Sequence, residues 1–128
     1  MEIESIQLFI KSFIQPSARL RKNHYTHISY ITETLNRVLS KHFAVVGKLD
    51  PEEVAKMFRE LGFTLFESVN EMWGYNNKFY KTVWINVDTK DVRLLRLSTS
   101  IPSNTGKEKK LEVQELINRL DSFKDERL

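Results

Sequence analysis

One change of hydrophobic period, at Gly62, constrains the fold of this chain more than any other feature. Before it, a block opening Asp50-Pro51-Glu52-Glu53 carries Val54, Met57, Phe58 and Leu61 at helical spacing. After it, Phe63-Thr64-Leu65-Phe66 takes up the alternation of a strand. Asp50 can accept a hydrogen bond from the Glu53 N–H, Pro51 stands where its missing donor costs nothing, and Gly62 suits a left-handed helix end. The patterning then predicts strands over 63–69, 78–87 and 92–98, with Asp88-Thr89-Lys90-Asp91 as a short hairpin loop between the last two. A helix running into such a meander defines an α+β unit.

Helices flank this unit. Ile3, Ile6, Ile10, Phe13 and Ile14 form a stripe that stops before Gln15-Pro16, and Leu8 and Phe9 widen it enough to meet a second neighbour, including another subunit. Residues 16–26 read as a basic, polar loop. Thr26 is placed to cap a second helix whose buried face is Ile28, Ile31, Leu35, Val38 and Leu39. An exposed connector over 99–107 leads to a last helix with Val113, Leu116, Ile117, Leu120 and Phe123 on one face. The expected fold is one domain over 1–128, made of an N-terminal helical pair (1–48) and an α-β-β-β-α unit (49–128). It is an α+β fold with a three-stranded antiparallel meander packed with four helices, in the order α-α-α-β-β-β-α. Leu94 and Leu95 would point to opposite faces of the third strand, which predicts helices on both sides of the sheet.

With 128 residues and no cysteine, the chain can bury one core, but it holds no disulfide, thiolate nucleophile or cysteine zinc site. Glu2 and Glu4 stand where a secretory signal carries positive charge, and no apolar run nears the roughly 18 residues of a membrane span. A cytoplasmic protein without membrane contact is expected. The net charge of +3 is unevenly spread: residues 1–48 carry 7 basic and 3 acidic side chains, 49–77 carry 2 and 6, and 78–110 carry 8 and 3. That alternation favours an anionic partner.

Two basic clusters are the candidate phosphate contacts: Arg19, Arg21 and Lys22 ahead of the second helix, and Lys107, Lys109 and Lys110 at the start of the last. In the second strand Tyr80 and Trp84 share a face opposite Phe79, Val83 and Ile85, and such sheet aromatics can stack unpaired bases where the face is open. Phe9, Trp73 and Tyr75 form the candidate protein interface, the last two in an unusually bulky loop.

A helix, three antiparallel strands and a helix opened by Gly106-Lys107-Glu108-Lys109-Lys110 is similar in order to a double-stranded-RNA-binding domain. The resemblance implies phosphate contacts from Lys107, Lys109 and Lys110. The chain departs from that pattern at Met72-Trp73-Gly74-Tyr75-Asn76-Asn77, where the family has Gly-Pro-x-His, and at Val113, Leu116 and Ile117, where it has small alanines. His24 and His27 lack the third and fourth partners of a metal site, and no cofactor is expected. No catalytic signature occurs: there is no Gly-rich phosphate loop, Gly-x-Ser-x-Gly or His-Glu-x-x-His. The expected function is a small non-enzymatic binding or regulatory module, with nucleic acid, DNA or RNA, slightly favoured as the ligand. The alternative is a protein-interaction module or homodimer using the first helix and the Trp73/Tyr75 loop.

Overall fold

The computed structural model describes residues 1–19, 21, 24–71 and 79–127. Its elements run α1 (Ile3–Phe13), β1 (Thr26–His27), α2 (Ile28–Phe43), α3 (Pro51–Glu60), β2 (Leu65–Glu71), β3 (Phe79–Ile85), α4 (Thr89–Leu97) and α5 (Lys107–Arg127). The fold is α+β, with an antiparallel three-stranded sheet among helices. No described helix is long and apolar enough to cross a membrane.

α3 forms as its ends dictate. Asp50 Oδ1 accepts from the Glu53 N–H at 2.9 Å and Glu53 reaches back to the Asp50 N–H at 3.4 Å, a reciprocal capping box with Pro51 just inside. At the other end Gly62 takes φ +89°. The Gly62 N–H then meets the Arg59 carbonyl and the Phe63 N–H meets the Phe58 carbonyl, both at 3.0 Å. These are the two bonds of a Schellman motif, and its usual apolar contact is supplied by Phe58 and Phe63, whose rings lie edge-on 4.9 Å apart. The turn thus delivers the chain directly into β2.

The third predicted strand is not a strand. Residues 92–98 fall in α4 and its C-cap, giving five helices among the described residues where four were expected. Asp88 is no hairpin residue but the N-cap: its Oδ1 accepts from the Lys90 N–H at 3.0 Å. Val92 and Leu95, three residues apart, are both fully buried; a strand would have sent them to opposite faces, whereas one helix face holds both. The place beside β3 is taken instead by β1, with Thr26 opposite Ile85 and His27 opposite Trp84. The strand order is therefore β1-β3-β2, with β3 central, rather than a sequential meander. This also breaks the resemblance to a double-stranded-RNA-binding domain, since two strands and then a helix follow α3.

Part of the predicted loop 16–26 is fastened to the sheet. Pro16 bridges Val87, the Ser17 N–H donates to the Asn86 carbonyl at 3.3 Å, and Asn86 Nδ2 donates back to the Ser17 carbonyl at 3.3 Å. The Gln15 N–H donates to Asp91 Oδ2 at 2.9 Å while its carbonyl accepts from the Asp88 N–H at 2.8 Å. Burial of the Asp91 carboxyl pushes its pKa up, and the Gln15 bond works against that shift. The N-cap of α2 is His27, one residue beyond the expected Thr26, with Nδ1 accepting from the Ser29 N–H at 3.0 Å.

The core joins all five helices to one side of the sheet. Phe9, Phe13, Phe43 and Phe123 form an aromatic cluster with centroids 5.1 to 6.1 Å apart. α2 and α3 lie against the sheet, where Ile85 is fully buried and Leu65 and Val83 pack on the core. The opposite sheet face is not packed as core: Trp84 and Phe66, which pair across β3 and β2, both keep part of their surface in solvent. The expectation of a sheet buried on both sides drew on the apolar stripes of the preceding helices and on Leu94 and Leu95 as strand residues; those stripes pack on one side of the sheet, and Leu94 and Leu95 belong to α4.

Candidate functional site

Lys107, Lys109 and Lys110 occupy the first turn of α5, following a turn closed by the Thr105 N–H on the Pro102 carbonyl at 3.0 Å. Every residue from 107 to 112 is exposed, so this end of the helix stands clear of the body until Val113 enters the core. Lys109 Nζ pairs with Glu112 at 3.1 Å, while Lys107 and Lys110 have no ion pair among the described residues. Leu111, 58% exposed, shares this projecting end.

Arg19 and Arg21 are likewise exposed and without an ion pair among the described residues. The Arg19 N–H is held by Ser17 Oγ at 3.1 Å, and the Arg21 carbonyl accepts from the His24 N–H at 3.0 Å. Arg19 therefore rides on the segment tied to the end of β3, while Arg21 is bonded toward the start of β1. Lys22 lies outside the described residues. No hydrogen bond or ion pair among the described residues joins this cluster to the α5 lysines.

Trp84 stands edge-on to His27, with centroids 4.8 Å apart at 90°. The side chain of its neighbour Tyr80 lies outside the described residues, as do Trp73 and Tyr75. Phe9 is corrected by the structure. It is 0% exposed and surrounded by rings of its own chain, because the width of the α1 stripe is used up by Phe13, Phe43 and Phe123. It presents nothing to a partner.

A concavity lies elsewhere among the described residues, in a groove of about 1080 Å³ that runs along the outer side of α2. Asn36, Arg37 and Lys41 supply its helical floor, Val46 and Lys48 one wall, and Thr99 the other. The wall over 45–48 is held by two bonds between Asn36 and Leu49: Leu49 N–H to Oδ1 at 2.8 Å and Nδ2 to the Leu49 carbonyl at 3.0 Å. The Val45 N–H also donates to the Leu39 carbonyl at 3.0 Å, past Ala44 at φ +52°. Glu33 accepts from Arg37 at 2.8 Å and Arg96 at 3.2 Å. The polar stripe Glu33, Arg37 and Lys41, spaced by four, was the sequence signal for this surface, but it also describes any solvated helix face.

Below the groove, His42 joins the ends of α2 and α4. Its Nε2 lies 3.2 Å from the Ser98 carbonyl and 3.1 Å from Ser98 Oγ, and that hydroxyl itself donates to the Leu95 carbonyl. Burial lowers the His42 pKa, opposed by the bond to Ser98; Lys41 lowers it further and Asp121 raises it. Ser98 is buried with its hydroxyl committed to a carbonyl, so the pair acts as a tie between helices rather than as a nucleophile and base. On the sheet, Glu67 is held below the usual carboxylate range by the hydrogen bond from Lys81 and by Arg59, the two pairs measuring 2.8 and 3.0 Å.

Compared with models of protein families, with curated proteins and with solved structures, the chain matches none of them.

Proposed function

We propose that the chain is a small binding module whose ligand is nucleic acid, held through its phosphates by Lys107, Lys110, Arg19 and Arg21. The observation that carries this reading is the state of these four cations: all are exposed, and none has a carboxylate partner among the described residues. A cation already paired gives up one partner to gain another, whereas an unpaired one contributes its full counterion release. Trp84, partly exposed beside His27, adds a surface on which an unpaired base can stack. The rival reading, a protein interface of the N-terminal helix and the Trp73/Tyr75 loop, loses Phe9 to the core, and its loop lies outside the described residues.

Fluorescence anisotropy with a labelled single-stranded RNA and a labelled DNA duplex, across a salt series, tests the proposal. If all four cations engage, the logarithm of affinity falls with the logarithm of salt at a slope of about −3 for the single strand and about −3.6 for the duplex. Lys107→Glu with Lys110→Glu should flatten that slope by between about 1 and 2. Absence of binding at low salt, or a slope indifferent to the double substitution, would refute it.

A further inference from the structure

The groove along α2 has a different character from the phosphate-holding cations. Its floor runs from Ser29 to Lys41, a helical length of about 18 Å. An extended chain rising about 3.3 Å per residue fills that length with five or six residues. The lining carries three cations, Arg37, Lys41 and Lys48, against one carboxylate, Glu33. That carboxylate is already bonded by Arg37 and Arg96. Among the described residues Lys41 reaches only the Thr99 carbonyl, at 3.3 Å, and Lys48 has no ion pair.

The wall beside these lysines is apolar. Val46 is 99% exposed on a segment fixed by the Asn36–Leu49 pair and by the bond from Val45 to Leu39. A segment held on both flanks that presents an apolar side chain to solvent loses less freedom on contact, which lowers the ordering cost a ligand meets there. Among the described residues no aromatic side chain lines the groove to serve as a stacking platform for a nucleic acid, and Glu33 would stand against phosphates.

We propose that this groove docks an extended acidic peptide segment of a partner protein. An apolar side chain of that segment lies against Val45 and Val46, and its neighbouring carboxylates meet Lys41 and Lys48. The surface is independent of the nucleic-acid reading, which rests on other residues.

The test titrates the full chain with a fluorescein-labelled hexapeptide containing a central leucine flanked by aspartates. Its lysine-for-aspartate counterpart and a single-stranded RNA competitor serve as controls. The acidic peptide should bind and the lysine peptide should not. Val46→Ser should weaken binding by about 3- to 10-fold, the loss of one apolar contact. Lys48→Glu should weaken it by about 10-fold or more through charge reversal. Both side chains are exposed, so thermal unfolding should be unchanged, and Lys107→Glu with Lys110→Glu should leave peptide affinity intact. The proposal is overturned if the two peptides bind alike, if Val46→Ser has no effect, or if RNA displaces the peptide and loses affinity equally with Lys48→Glu. That last result would make the groove a general polyanion surface.

Discussion

Replacing Asn36 by alanine should loosen one wall of the α2 groove while leaving the rest of the fold intact. The amide of Asn36 acts as a strand-like partner for one peptide unit, accepting from the Leu49 N–H at 2.8 Å and donating to the Leu49 carbonyl at 3.0 Å. Each bond contributes a net of about 1 kcal/mol, so their joint loss costs about 2 kcal/mol. Alanine returns about 0.5 kcal/mol through its better helix propensity in the middle of α2. The net cost is about 1.5 kcal/mol, readable in urea unfolding as a lower midpoint at unchanged slope. Asn36→Asp keeps an acceptor for the Leu49 N–H but turns an anionic oxygen toward the Leu49 carbonyl, so it should cost at least as much as alanine. Hydrogen exchange gives the local reading: the Leu49 amide should lose protection in Asn36→Ala, whereas the Glu53 amide, held by Asp50, should lose only what the global change dictates. A loss below about 0.5 kcal/mol, the ordinary scatter of surface substitutions, would refute this account of the wall.

Ala44 adopts φ +52° with a side chain that disfavours it. Ala44→Gly relieves about 1–2 kcal/mol of left-handed strain against about 0.5–1 kcal/mol of added chain entropy, so the urea midpoint should rise modestly, and Ala44→Val should lower it. His42 has a folded pKa below its ordinary 6.5, so between the two values the unfolded chain binds more protons than the native one. Stability should therefore hold above about pH 6.5 and decline as pH falls toward the folded value. His42→Gln, which retains a donor for Ser98, should flatten that part of the profile in urea melts taken pH by pH.

What could be read from the sequence was what is decided locally. The two ends of α3 involve residues no more than five apart, and the capping box, the N1 proline and the left-handed glycine all lie within a single stretch. The faces of α1, α2 and α5 could be read for the same reason, since each has apolar residues that repeat over at least three turns. α4 could not. Over nine residues, Val92, Leu94, Leu95 and Leu97 satisfy either period, and the contacts that hold α4 are tertiary, among them the bond from Gln15, 76 positions away from the carboxylate it binds. β1 contributes only Thr26 and His27, too short to show an alternation of its own, and it exists because β3 offers an edge.

The same exchange of strand for helix hid the α2 groove. Had residues 92–98 formed a strand, no α4 would have carried residues 98–100 to the C-terminal end of α2. As a helix, α4 brings its C-terminal end against α2: Ser98 meets His42, the Thr99 carbonyl takes Lys41, and Thr99 and Ser100 become a wall of the groove. The basic clusters were visible as charge because charge is a property of single residues. The groove is a property of three segments, 29–41, 45–51 and 99–100, and none of them carries it alone. Its existence depends on which element follows β3, and in this chain that choice is made by Asp88 as a cap and by Asp91 on the Gln15 backbone.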